Sequence, residues 1–141
     1  MSTDSTTFAF VCVQNAGRSQ MSTAFAERER ERRDLEDSVE ILTGGTHPAD
    51  HVHAEVVDVM GEEGFDLSDR TPREVSTAEL ESCDVVATMG CSTLELDAES
   101  VDVRDWALDD PDGKDMDRVR EIRDDIEQRV VALFDEFHPD H

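Results

Sequence analysis

The sequence predicts an α/β fold in which one four-stranded parallel sheet carries helices on both faces. Three observations point there. Short apolar runs of strand length alternate with longer stretches whose apolar residues recur at helical spacing. The first run, Thr7 to Val13, is nearly continuous in apolar residues, as in a strand buried on both sides. The last stretch, Lys114 to Phe137, reads as one long helix, and strands that alternate with helices pair in parallel.

The first strand runs into a loop of Gln14, Asn15, Ala16 and Gly17. From Arg18 to about Arg33 a helix is expected, because Met21, Ala24 and Phe25 share a face; its charged tail reads as a solvated end. Val39 to Thr43 reads as the second strand, stopped by Gly44 and Gly45. Val52 to Glu63 puts Val52, Val56, Val59 and Met60 on one helical face, with Gly64 as the stop. The turn-rich stretch Ser68 to Ser76 leads to a short helix at Thr77 to Ser82. Asp84 to Met89 is the third strand, and Val101 to Arg104 is a weaker, alternating fourth. Asp109 to Gly113 is a loop. The closing helix carries Met116, Val119, Ile122, Ile126, Val130, Leu133, Phe134 and Phe137 on one stripe. No repeat or linker interrupts residues 1–141, which are expected to form a single domain.

Composition narrows the function. The 141 residues hold 36 acids and 13 bases, a formal charge of -23. Nucleic acids and anionic membrane faces are bound through Lys and Arg patches, so neither is an expected partner. With 37% hydrophobic residues in periodic blocks, the charge does not signal disorder. Lys114 is the one lysine beside twelve arginines. That balance fits a protein adapted to molar salt, where the Debye length falls to about 3 Å and self-repulsion is screened. No apolar run is long enough to span a bilayer, and Met1 to Thr7 is polar, so a cytoplasmic monomer is expected. Cys12, Cys83 and Cys91 are an odd number, which argues for reduced thiols rather than a disulfide scaffold.

In a parallel α/β sheet, ligand sites form beyond the carboxyl ends of the strands. The first strand delivers Cys12, Val13, Gln14, Asn15, Ala16, Gly17, Arg18 and Ser19 to that edge. A turn that opens a helix can curl its backbone N–H groups inward around a tetrahedral oxyanion. Arg18 can grip two oxygens of that anion as a fork. The same field favours the thiolate form of Cys12, the form that acts as a nucleophile. Three cysteines and twelve arginines produce about 0.26 such C-x5-R spacings by chance, so the spacing alone is a weak signal. Its place on the first strand-to-helix turn gives it weight; otherwise Cys12 is a buried strand-end thiol and Arg18 a solvated residue.

The run Val11-Cys12-Val13-Gln14-Asn15-Ala16-Gly17-Arg18-Ser19-Gln20-Met21-Ser22 resembles the signature loop of thioredoxin-type arsenate reductases, which share the low-molecular-weight protein tyrosine phosphatase fold. Gly44-Gly45-Thr46-His47-Pro48, Phe65-Asp66-Leu67-Ser68, Asp84 to Cys91 and Trp106-Ala107-Leu108-Asp109-Asp110-Pro111 follow in matching order. The resemblance implies a flavodoxin-like three-layer sandwich. It also implies an arsenate reductase with Cys12 as nucleophile, Arg18 as oxyanion clamp and Asp110 as the acid that protonates the leaving oxygen. Cys91, just past the third strand on the same edge as Cys12, becomes the second thiol. Cys83, at the other end of that strand and about 20 Å away, reads as structural. The expected substrate is arsenate or phosphate. The expected reductant is an external thioredoxin-like or glutaredoxin-like protein or a small thiol, with no bound cofactor.

Two departures stand out. Ser92-Thr93-Leu94-Glu95-Leu96 holds no third reactive cysteine, so the final disulfide is either Cys12–Cys91 or is bypassed by an external thiol. Gly17 also replaces the second loop cysteine usual in the tyrosine phosphatases. Phosphomonoester hydrolysis through a phosphocysteine is the alternative activity, although Asp112 and Gly113 stand where aromatic residues would flank a phenyl ring. His47, His51 and His53 form no complete metal site by spacing, and a solvated or helix-capping role is expected. Trp106 is expected to pack.

Overall fold

Residues 6–12, 15–45, 47–89, 102–106 and 115–137 are described by a computed structural model. Strand β1 (Thr6–Cys12) is an inner strand of the sheet, and its apolar run from Phe8 to Cys12 follows from that place. Phe8, Phe10 and Cys12 point into one hydrophobic cluster, while Ala9 and Val11 point into another on the opposite face. The remaining strands are β2 (Val39–Gly45), β3 (Val85–Met89) and β4 (Asp102–Asp105). All pair in parallel in the order β2-β1-β3-β4. Cys12 lies opposite Gly45 on one side and Met89 on the other, so three carboxyl ends finish level.

Helices α1 (Arg18–Arg32), α2 (Ala54–Gly61) and α4 (Met116–Phe137) supply the larger cluster. Phe8 meets Phe134 and Phe137 edge to face at 5.2 and 5.5 Å between ring centroids. The short helix α3 (Thr77–Glu81) covers the other face through Leu80, together with Val75 and Cys83. A reciprocal capping box of Ser76 and Glu79 starts it. The sandwich expected from the sequence is therefore present. Helix α2 ends at Gly61, two residues before the expected Glu63, and the turn after it closes at Gly64 as expected: Gly64 takes φ +90°, with Phe65 N–H on Met60 O and Gly64 N–H on Gly61 O.

Some boundaries and contacts differ from the sequence-based expectation. Strand β2 continues through Gly44 and Gly45 instead of stopping before them. The reason is a close approach by the segment after Pro72: Gly45 N–H donates to Arg73 O at 2.9 Å, and Val75 N–H donates to Gly45 O at 3.3 Å. A Cβ on Gly44 would lie 2.4 Å from Val75 Cβ, so only glycine admits that neighbour. Helix α2 begins at Ala54, with the buried Val52 packing from the preceding loop. Strand β4 is one residue later than expected. Among the described residues it pairs with β3 alone and leaves Val103 39% exposed, so alternation defines its ends poorly.

The charged tail of α1 is not simply solvated. Glu29 is buried beneath Arg33, and Arg33 bonds Asp135 of α4 at 2.7 Å with its guanidinium over the Phe134 ring. Arg28 likewise pairs with Glu127 and stacks on Phe25 and Phe65. Long arginine stems cover apolar surface while their heads find acids, and helix–helix packing creates both partners.

Candidate active site

Cys12 is the last residue of β1 and is 3% exposed. Its Sγ lies 2.9 Å from Ser19 Oγ, on the first turn of α1. The chain between them reverses through Asn15, which takes φ +52° and is fully buried. A short polar side chain tolerates that left-handed conformation by bonding locally.

The Asn15 amide is saturated. Its Nδ2 donates to Ser19 Oγ at 2.7 Å and to Thr43 Oγ1 at 2.8 Å. Its Oδ1 accepts from Gln20 Nε2 at 3.1 Å and from Arg73 N–H at 3.0 Å. Thr43 spends its own hydrogen on Phe10 O. Since Ser19 Oγ accepts from Asn15, its hydroxyl hydrogen is available to the Cys12 sulfur, and a thiolate is the form that accepts it. The result is a relay of donors aimed at one sulfur atom.

Gly17 precedes α1 at φ −138° and makes no side-chain capping bond. The first-turn N–H groups of α1 are thus not capped from that position, as an anion cradle requires. Arg18 opens the helix, is 9% exposed, and accepts the Ser22 hydroxyl on its carbonyl at 2.9 Å. Ala16 O accepts from His53 N–H at 3.0 Å, which ties the turn to the start of α2.

The structure therefore brings together Cys12, Asn15, Ala16, Gly17, Arg18 and Ser19. Val13, Gln14, Cys91 and Asp110 lie outside the described residues, as does the loop Asp109 to Gly113. Three contributors escaped sequence reasoning: Gln20, Thr43 and Arg73. Thr43 reaches the site because β2 adjoins β1, and Arg73 because its segment docks on Gly45; neither pairing leaves a mark in the spacing.

Cys83 is 3% exposed, far from that edge, with its Sγ on Glu79 O at 3.4 Å. Burial first, then the charges of Asp84 and Glu79, pushes its thiol up to about 11. Trp106 is 7% exposed and packs on Phe10 at 5.8 Å between ring centroids. His53 occupies the N-cap position of α2 without a side-chain capping bond.

The structure is a parallel α/β sheet with a buried thiol and an arginine on its first strand-to-helix turn. The chain belongs to the low molecular weight phosphotyrosine protein phosphatase family, whose model matches residues 7–141. It is 89% identical to a Halobacterium salinarum protein provisionally named an arsenate reductase, over 99% of each chain. It is 31% identical to the glutaredoxin arsenate reductase of Synechocystis, covering 88% of this chain and 92% of that one. Among solved structures, the thioredoxin-dependent arsenate reductase of Corynebacterium glutamicum superposes with a TM-score of 0.80 at 28% identity. That match covers all of this chain and 66% of the other. An arsenate reductase in its phosphate-binding state gives 0.78 at 28% identity, covering 93% and 98%.

Proposed function

We propose that this chain reduces arsenate to arsenite as one cytoplasmic domain spanning residues 1–141. The observation that carries the reading is the 2.9 Å approach of Ser19 Oγ to Cys12 Sγ inside a turn that also presents Arg18. The turn amides and Arg18 hold the oxyanion, and Cys12 Sγ attacks arsenic to form an S–As bond. Asp110 gives its proton to the departing oxygen, which leaves as water. The Cys91 thiolate then attacks Cys12 Sγ. An S–S bond forms, the S–As bond breaks, and its electron pair stays on arsenic, which passes from As(V) to As(III). A thioredoxin-like or glutaredoxin-like dithiol, or two small thiols, reduces the Cys12–Cys91 disulfide and is itself oxidised. In the variant route, a small thiol replaces Cys91 in attacking the Cys12 adduct. The names of the relatives in Halobacterium, Synechocystis and Corynebacterium support the reading.

The family's phosphatase name favours one second reading, phosphomonoester hydrolysis with water attacking a phosphocysteine. Arsenate-dependent oxidation of a dithiol and aryl-phosphate hydrolysis, both in molar KCl, separate the two. For the reductase, Cys12→Ser abolishes arsenate reduction and Cys91→Ser removes the disulfide route while slow phosphatase turnover persists. Rapid phosphatase turnover indifferent to Cys91, with no arsenite formed, sinks the proposal.

A further inference from the structure

Gln20 is only 2% exposed, and among the described residues its side-chain hydrogen bonds both go to Asn15. Its Nε2 reaches both Asn15 O and Asn15 Oδ1, each at 3.1 Å. Two acceptors on one nitrogen leave no ambiguity about which end of the Gln20 amide faces Asn15. Among the described residues the opposite end, Oε1, is buried with no hydrogen-bond partner.

We propose that Gln20 is a positioning residue for Cys12, holding the Asn15 amide in the one orientation that lets Ser19 donate to the sulfur. The chain of cause is short. Asn15 Oδ1 takes two donors, Gln20 Nε2 and Arg73 N–H, which forces its Nδ2 toward Ser19 and Thr43. With Nδ2 on Ser19 Oγ, the Ser19 hydrogen points to Cys12 Sγ. Gln20 also grips the carbonyl of the residue at φ +52°, the strained point of the turn. Removing the Gln20 donor leaves one donor on Oδ1, and the amide can then rotate and present oxygen to Ser19. Ser19 would then donate to Asn15 instead of to sulfur. The inference rests on Cys12 being the nucleophile proposed above.

The test uses the full chain in molar KCl with three proteins: wild type, Gln20→Met and Gln20→Glu. Iodoacetamide alkylation of Cys12, followed residue by residue by mass spectrometry, needs no arsenate and reads the sulfur directly. Gln20→Met, similar in volume and without a donor, alkylates about tenfold more slowly at pH 7. Gln20→Glu carries the sharper signature. Its carboxylate has no donor, but its protonated form donates one O–H toward Asn15. Its rate relative to wild type therefore climbs as pH falls through the carboxyl titration, while the Gln20→Met ratio stays flat. A purely packing role moves the melting temperature but gives flat, equal ratios, and that result overturns the proposal. So does wild-type reactivity in Gln20→Met. Arsenite production is measured in parallel. Wild type that makes no arsenite while showing the Gln20 alkylation pattern refutes the reductase reading and leaves this inference standing.

Discussion

Replacing Gly44 by alanine tests whether the docking of the 73–75 segment on β2 supports both the fold and the site. The new Cβ would lie 2.4 Å from Val75 Cβ, 2.9 Å from its Cγ1 and 3.3 Å from its Cα. Ordinary carbon contacts begin near 3.5 Å, so the segment must retreat by about 1 Å. Overpacking of this kind costs about 1–3 kcal/mol. The retreat also stretches two backbone bonds, Gly45 N–H to Arg73 O and Val75 N–H to Gly45 O, at about 0.5–1.5 kcal/mol each. The sum is about 2–6 kcal/mol, or a fall in melting temperature of roughly 6–18 °C for a chain of this size. Differential scanning calorimetry in molar KCl reads it. Because the Arg73 N–H donates to Asn15 Oδ1, Cys12 alkylation should slow in the same variant. In a Val75→Gly background the Gly44→Ala penalty should shrink, since the clashing atoms are gone. A Gly44→Ala protein melting within about 1 °C of wild type would refute the reasoning.

Two further outcomes follow from the electrostatics. With its thiol pushed up to about 11, Cys83 is almost wholly protonated at neutral pH and should resist iodoacetamide there, reacting only as pH rises above about 10 or the chain unfolds; peptide mapping that finds Cys83 modified as fast as Cys12 at pH 7 contradicts this. Glu62 is held down to about 2 by hydrogen bonds from Arg120 first and then Arg123, below its ordinary 4.5. A depressed carboxyl stabilises the fold above its unfolded value and loses that contribution as pH falls through its folded one. The melting-temperature gap between wild type and Glu62→Gln should therefore be full above pH 5, narrow toward pH 2, and shrink in molar salt; a gap independent of pH removes the ion pair as its cause.

Much of the architecture is legible in the residues alone because periodicity is local. Phe8 to Val11 without a polar residue reads as a central strand, and Val119 to Phe134 at helical intervals reads as a long amphipathic helix. The Cys12-to-Arg18 spacing is legible for the same reason, since it lies within seven consecutive residues. Gly44 and Gly45 misled, since glycine weakens a strand locally and the contact that needs it comes from Val75, thirty-one residues on.

An acidic α/β chain with a thiol and an arginine on its first strand-to-helix turn is legible from local order alone. How that thiol is governed depends on contacts between segments distant along the chain. Sheet order sets Thr43 beside Cys12's strand, the close approach at Gly44 and Gly45 delivers the Arg73 N–H, and both converge with Gln20 on one Asn15 amide. The charge tells the same story: α1 ends in alternating acids and arginines that look solvated, yet Glu29, Arg33 and Asp135 meet across two helices. Hydrogen bonds and ion pairs depend on distances in space, and residues far apart along a chain acquire those distances only when the sheet and helices are assembled.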